Sequence, residues 1–343
     1  MSERRKILIC ISSSKWGGGE RHVLDLIIGL DPYFDFTLVL EPGGDLEKHA
    51  KALGIKTEFH DFSYQNLPRL LSILRCINPD GVHTHLNQAC FQVSLLRPLL
   101  TCPILATVHG FSSLLYYAFP QHLIAVSDAI KDFLTPWFTQ KITRVYNGVE
   151  NVKPHQPFNT PNKIPQGFIF ATIHPNKGQE FVVKSLCLDE SKMKITMVGR
   201  GRIDHEASLA KLIQSYSGET SLNWKPTTGD LSRFWEQADF TIIPSFREAL
   251  SYVALESLTR GIPVLASATG GLREVFQHGK QGLFFDPGNT KSFLQTLTEM
   301  SLNHRRFRQI LAQEPFLEQH PQFKLESMLE HTKDVYQKVF SLP

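Results

Sequence analysis

Residues 245–256 read Ser245-Phe246-Arg247-Glu248-Ala249-Leu250-Ser251-Tyr252-Val253-Ala254-Leu255-Glu256, followed by Gly261-Ile262-Pro263-Val264 and then Ala268-Thr269-Gly270-Gly271. The apolar run before them, Phe240 to Pro244, reads as a strand, and Leu250 to Arg260 reads as a helix. A strand feeding a helix that returns to another β-branched run is the repeating unit of a parallel sheet. Glu248 and Glu256 stand eight positions apart. On one helix, a rise of about 1.5 Å per residue separates them by roughly 12 Å along the axis. That is about the reach from a sugar ring to a ribose, and a carboxylate accepts paired hydrogen bonds from vicinal hydroxyls. Taken alone, two acids at this spacing read equally as solvated helix glutamates, because charged side chains are mostly exposed.

The same rhythm extends in both directions. Upstream, apolar runs at Lys6–Ser12, Phe36–Leu40, Gly81–Thr84, Ile104–Val108, His122–Val126 and Thr143–Tyr146 alternate with amphipathic segments. It restarts at Gly167–Ile173 and continues through Lys194–Val198, Phe240–Pro244, Val264–Ala266 and Gly282–Phe285. Between the two series, residues 152–166 hold Pro154, Pro157, Pro161 and Pro165 without helical period, which reads as a linker. A chain of 343 residues exceeds a single core. The expected organisation is α/β, with one Rossmann-like domain over 1–158 and a second over 159–322. A tail at 323–343 carries Leu325, Met328, Leu329, Val335, Tyr336 and Val339 at helical spacing, so it needs an apolar surface to cover.

Lys and Arg exceed Asp and Glu by 15 to 14 in residues 1–158 and by 21 to 19 in the rest. Without a basic run, this balance excludes nucleic acid as a partner. No apolar stretch reaches the 18 or so residues of a membrane helix; even Leu95–Phe119 is broken by Arg97, Pro98, Pro103 and His109. Met1-Ser2-Glu3-Arg4-Arg5-Lys6 passes straight into a strand without a signal segment. Five scattered cysteines lacking a Cys-x-x-Cys pair fit a reducing compartment. The expectation is a cytoplasmic protein, with peripheral contact at the inner membrane face left open by the aromatic loop Gly110–Phe119.

Motifs fall where strands end, which is where open parallel sheets bind ligands. They are Gly17-Gly18-Gly19-Glu20, Thr107-Val108-His109-Gly110, Ala125-Val126-Ser127, Tyr146-Asn147-Gly148-Val149, Pro175-Asn176-Lys177-Gly178 and Val198-Gly199-Arg200-Gly201. With the 245–271 segment, their order and separation resemble the retaining GT-B glycosyltransferases of the family four type, over roughly residues 6–290. The resemblance implies two Rossmann-like domains facing a cleft, with the last helix crossing back to the first domain. It implies transfer of a sugar from a nucleotide diphosphate sugar, a UDP-sugar being favoured, to a glycan or lipid-linked hydroxyl. Surface glycan or lipopolysaccharide synthesis is the setting it suggests.

Residue by residue, the resemblance assigns donor sugar hydroxyls to Glu248 and the ribose to Glu256. Ala249, Leu250 and Ser251 line the donor, and Lys177 meets the distal phosphate as a point charge. Gly17 and Gly18 offer backbone N–H groups at a helix start, as do Gly270 and Gly271 ahead of an expected helix at Arg273–Gln277. Arg200 or Arg202 adds positive charge. His109 faces the reacting sugar as the third catalytic group beside Glu248 and Lys177, while His85 and Phe111 stand on the acceptor side. Asn147-Gly148 matches an interdomain turn. One position departs: the family's arginine five residues before the lysine is Thr172 here, and the usual glycine before it is Ala171. Bidentate guanidinium contact to phosphate is therefore lost.

His83-x-His85 has a metal-binding spacing but no third ligand nearby in sequence, and no Asp-x-Asp clamp occurs, so no metal and no cofactor beyond the nucleotide sugar is expected. Two other readings share this architecture: a sugar nucleotide epimerase, and a binding subunit that has lost catalysis, the latter motivated by Thr172.

Overall fold

The structure, a computed structural model, describes residues 4–152, 164–188, 191–227 and 230–340. The first sheet contains β1 (Arg5–Ile11), β2 (Phe34–Leu40), β3 (Thr57–Phe59), β4 (Gly81–His85), β5 (Ile104–Val108), β6 (His122–Ala125) and β7 (Lys141–Arg144). The second contains β8 (Gln166–Phe170), β9 (Lys194–Val198), β10 (Ser221–Lys225), β11 (Phe240–Ile243), β12 (Val264–Ser267) and β13 (Gly282–Phe285). Pairing is parallel in every case, in the orders β3-β2-β1-β4-β5-β6-β7 and β10-β9-β8-β11-β12-β13. Each sheet starts in its middle, grows to one edge and then reverses, between β1 and β4 in one and between β8 and β11 in the other. Such reversals open a crevice at the carboxyl ends of the two diverging strands.

Burial on both faces accounts for the continuous apolar runs of the central strands. Ile7, Ile9 and Ile11 of β1 enter one core cluster, whereas Leu8 and Cys10 enter the cluster on the opposite face. In β8, Ile169 points to one core, and Phe168 and Phe170 to another. The two strands without a counterpart in the sequence reading, β3 and β10, are both edges, and each is only partly buried. An edge strand does not need an unbroken apolar run, so neither carried one.

Two compact units result: Met1–Gly148 together with Gln322–Pro343, and Val149–Pro321. The boundary expected at 158, and most of the expected linker, lie at 153–163, outside the described residues. The tail forms the helix Leu325–Val339, which buries Met328, Thr332, Val335 and Tyr336 in the first unit's core. A β-carbon on Gly29, in the helix Gly18–Leu30, would sit 2.3 Å from a Leu329 methyl, so the bare glycine permits this close approach. In the second unit the long helix Thr290–Gln313 buries Phe293, Leu297, Met300, His304, Phe307 and Leu311 at three- to four-residue intervals, and Phe293, Leu297, Met300 and Phe307 join the core on the sheet.

Two local expectations are corrected. The helix after β11 runs Tyr252–Thr259, so Glu248 precedes it and the axial-rise estimate of its distance to Glu256 does not apply. Gly270–Glu274 is a five-residue 3-10 turn with no α-helix at Arg273–Gln277, because Val275 and Phe276 turn into the core instead.

Candidate active site

In the second unit, loops after three neighbouring strands, β8, β11 and β12, are tied together beyond the sheet. Phe246 donates its backbone N–H to the Asn176 carbonyl at 2.9 Å, and the Asn176 side-chain amide returns a bond to the Arg247 carbonyl at 2.9 Å. The Thr269 hydroxyl donates to the Phe246 carbonyl at 3.0 Å, and the Gly271 N–H to the Glu248 carbonyl at 3.0 Å. Gly178 closes the first loop in the left-handed region, at φ +73°, where a β-carbon would collide with the Pro244 carbonyl at 2.1 Å. The chain here has room only for glycine. This scaffold brings Lys177 Nζ to 2.7 Å from Glu248 Oε2, with the two side chains 31% and 13% exposed.

The remaining donor-side residues fall into distinct positions. Glu256 lies in the second turn of the Tyr252–Thr259 helix and is half-buried. Ala249 and Leu250 are buried, and Ser251 caps that helix by accepting from the Ala254 N–H at 3.3 Å. Ala249 and Leu250 have only backbone groups to present to a ligand, whereas the Ser251 hydroxyl, accepting at its oxygen, keeps its own proton to donate. The Gly271 N–H is already spent on Glu248, which corrects its expected role as part of an anion-binding helix start. Arg200 pairs with Glu206 at 3.3 Å and Arg202 with Asp204 at 3.0 Å, both exposed. Thr172 is exposed, and its carbonyl accepts from the Gln179 amide at 2.9 Å.

In the first unit, the loop after β1 leads into the helix Gly18–Leu30, for which Gly17 is the N-cap. The Glu20 carboxylate of the first turn lies beside Gly17, so a carboxylate already occupies the positive end of this helix. His85 ends β4 and His109 follows β5. His85 Nδ1 lies 2.9 Å from His109 Nε2. His22, from the helix Gly18–Leu30, closes the group, its ring 4.9 Å from that of His109 and nearly perpendicular to it. Burial pushes His22 down to about 4, against the opposing effect of its hydrogen bond to the Asn147 side chain. Burial, and secondarily the neighbouring imidazoles, hold His85 and His109 well below the ordinary histidine range. All three rings are therefore neutral at pH 7.

His85 is completely buried, which corrects its expected place on the acceptor side. Phe111 packs edge-on against Phe133 at 5.3 Å. Asn147-Gly148, expected as a turn between domains, ends the first segment of the first unit, and the Gly148 N–H donates to Met328 Sδ at 3.2 Å. His22 escaped the sequence reading, although one signal was present: it stands four residues before Leu26 on the buried stripe of its helix.

Among the described residues, His22, His85 and His109 are the group that could hold a metal ion, with ligand atoms within 4.8 Å of one another. The third ligand missing from the sequence is thus supplied twice, while His83 is withdrawn, its two nitrogens bonded to the Tyr336 hydroxyl at 2.8 Å and the Thr107 hydroxyl at 2.7 Å. The short His85–His109 bond uses two of the candidate ligand nitrogens on each other.

Comparison with known proteins bears on both units. A family model described as glycosyl transferases group 1 matches residues 153–314, and one described as glycosyltransferase family 4 matches residues 16–151. An uncharacterized glycosyltransferase, MJ1178, of Methanocaldococcus jannaschii is 24% identical over 282 residues, 76% of each chain. A D-inositol 3-phosphate glycosyltransferase of Pseudarthrobacter chlorophenolicus is 31% identical over 117 residues, 32% of this chain and 28% of that protein. Among solved structures, Anabaena HepE in complex with UDP-glucose superposes with a TM-score of 0.86 at 17% identity, covering 98% of this chain and all of the other. Sucrose-phosphate synthase of Thermosynechococcus elongatus gives 0.81 at 15% identity, covering 99% and 100%. These structures share the fold. The two family matches leave only Val152 between them and together take in every strand from β2 to β13, and the chain belongs to the group 1, family 4 glycosyltransferases of GT-B fold.

Proposed function

We propose that the chain is a hexosyltransferase that moves a sugar from a UDP-sugar to a hydroxyl of a glycan or lipid-linked acceptor, with retention and without a metal. The observation that carries this reading is the Lys177–Glu248 pair, a cation and an anion fixed by backbone bonds at the strand-order reversal of the second unit. The HepE structures hold UDP and UDP-glucose, which supports uracil as the base. In the proposed reaction the bond from the anomeric carbon to the distal phosphate oxygen breaks, and its electron pair stays on that oxygen. The acceptor oxygen bonds the anomeric carbon on the same face and gives its proton to the departing phosphate. Lys177 leaves Glu248 to stabilise the negative charge that grows on the diphosphate, and Glu248 accepts hydrogen bonds from the sugar hydroxyls.

With Thr172 in the arginine's place and Arg200 and Arg202 engaged with acids, Lys177 carries more of that task than one cation of a pair. Product analysis separates this reading from its alternatives. Transfer requires an acceptor, epimerisation of the donor does not, and a binding subunit yields neither product. A UDP-sugar converted only when an acceptor hydroxyl is present supports the proposal, and isomerised donor without acceptor would overturn it.

The lipid-linked acceptor is supported by an apolar surface in the first unit. Leu115 and Phe119 are 58% and 40% exposed, and Arg97 donates to the Phe119 carbonyl at 3.1 Å. No helix among the described residues is long and apolar enough to cross a membrane, so the proposed contact is peripheral.

A further inference from the structure

The hydrogen bond between His85 and His109 has two possible proton arrangements, and the surroundings choose between them. Both rings are neutral, so each carries one N–H and one lone pair. The bond joins His85 Nδ1 to His109 Nε2, and His85 Nε2 is buried with no hydrogen-bond partner. If His109 Nε2 donates, His85 must carry its proton on Nε2, as a buried N–H facing nothing. If His85 Nδ1 donates, Nε2 is only a lone pair without a donor. Buried N–H groups left without an acceptor are rarer than under-satisfied acceptors. The second arrangement therefore holds, and it leaves the proton of His109 on Nδ1.

Neighbours keep this state in place. His83, two residues before His85 on β4, is anchored at both nitrogens and its ring lies 4.1 Å from that of His85. His22, on the helix Gly18–Leu30, packs its ring nearly perpendicular to that of His109. His109 is half-buried and His85 fully buried, so His109 is the member of the pair that a ligand meets.

We infer that His85 is a positioning residue that fixes His109 as the Nδ1–H tautomer, so that His109 meets the reacting sugar as a neutral hydrogen-bond donor to a hydroxyl or ring oxygen. This rests on the proposed transfer reaction only for its consequence, because the tautomer exists without substrate. The test is long-range nitrogen–proton NMR of the full chain labelled with ¹⁵N-histidine, recorded at pH 7.5 without ligand. The expected spectrum has His109 protonated on Nδ1. In His85→Leu the proton should leave Nδ1 for Nε2, and His85→Asn, whose amide reaches the place of Nδ1, should restore it. Turnover should follow, with kcat lowered about 100-fold in His85→Leu, donor KM within about twofold, and recovery in His85→Asn. A wild-type His109 protonated on Nε2, or a tautomer unmoved by His85→Leu, overturns the inference. The wild-type spectrum decides by itself should the leucine variant fail to fold, and a chain without transferase activity would leave the tautomer result intact.

Discussion

At the reversal between β8 and β11 the loops carry formal charges, Lys177 against Glu248, partly open to solvent and held by backbone hydrogen bonds. At the reversal between β1 and β4 the same topology gathers His22, His85 and His109, which burial keeps uncharged. The difference teaches what each crevice can do. Charges that remain hydrated can exchange their partner for an ionic ligand, so the second unit suits a diphosphate. Neutral rings cannot compensate a phosphate, but they can give a directed N–H to a sugar oxygen at little reorganisation cost.

The sharpest way to break this contrast is to remove the cation. Lys177→Ala should lower kcat by about 100- to 1,000-fold, the loss typical of removing one group that stabilises developing charge, and steady-state kinetics with saturating donor measures it. A loss below tenfold would mean that the missing arginine at Thr172 has been replaced elsewhere. Glu248→Gln keeps the shape and removes the charge; we expect transfer to fall about 10- to 100-fold, with UDP affinity changed less than threefold. Full activity in that variant would show that Glu248 does not hold the donor sugar.

The histidine side of the comparison answers to pH. His22 has a folded pKa near 4, below its ordinary value of 6.5. The unfolded chain therefore binds this proton first as pH falls, and the native state loses stability through the window from about 6.5 down to about 4. His85 and His109 are shifted in the same direction and add to the loss. Thermal unfolding measured from pH 7.5 to 4.5 should show a falling midpoint, and His22→Phe should flatten the slope. The smallest effect concerns the support of this cluster. Tyr336→Phe removes the hydroxyl bonded to His83 and should cost about 1 kcal/mol by denaturant titration.

The alternation of apolar runs made both parallel sheets readable, because central strands buried on two faces cannot be written with polar residues. Edge strands β3 and β10 escaped because half-exposure relaxes that demand. Glu248 and Lys177 were legible as residues, but their contact was not, since 71 positions separate them and only the adjacency of β8 and β11 joins them. His85 was visible as half of His-x-His, yet its burial and its bond to His109 depend on side-chain packing that no spacing encodes. The exposed apolar residues of the 110–119 loop, Leu115 and Phe119, stood out in the sequence.

Lys177 is proposed to meet the distal phosphate of a nucleotide diphosphate. Calorimetric titration of UDP and UMP into the wild type and into Lys177→Ala tests it most directly. The wild type should bind UDP at least about tenfold more tightly than UMP, roughly 1.4 kcal/mol, and the preference should collapse toward unity in the variant. Equal affinities in the wild type, or a UDP preference that survives the loss of the lysine, would contradict it.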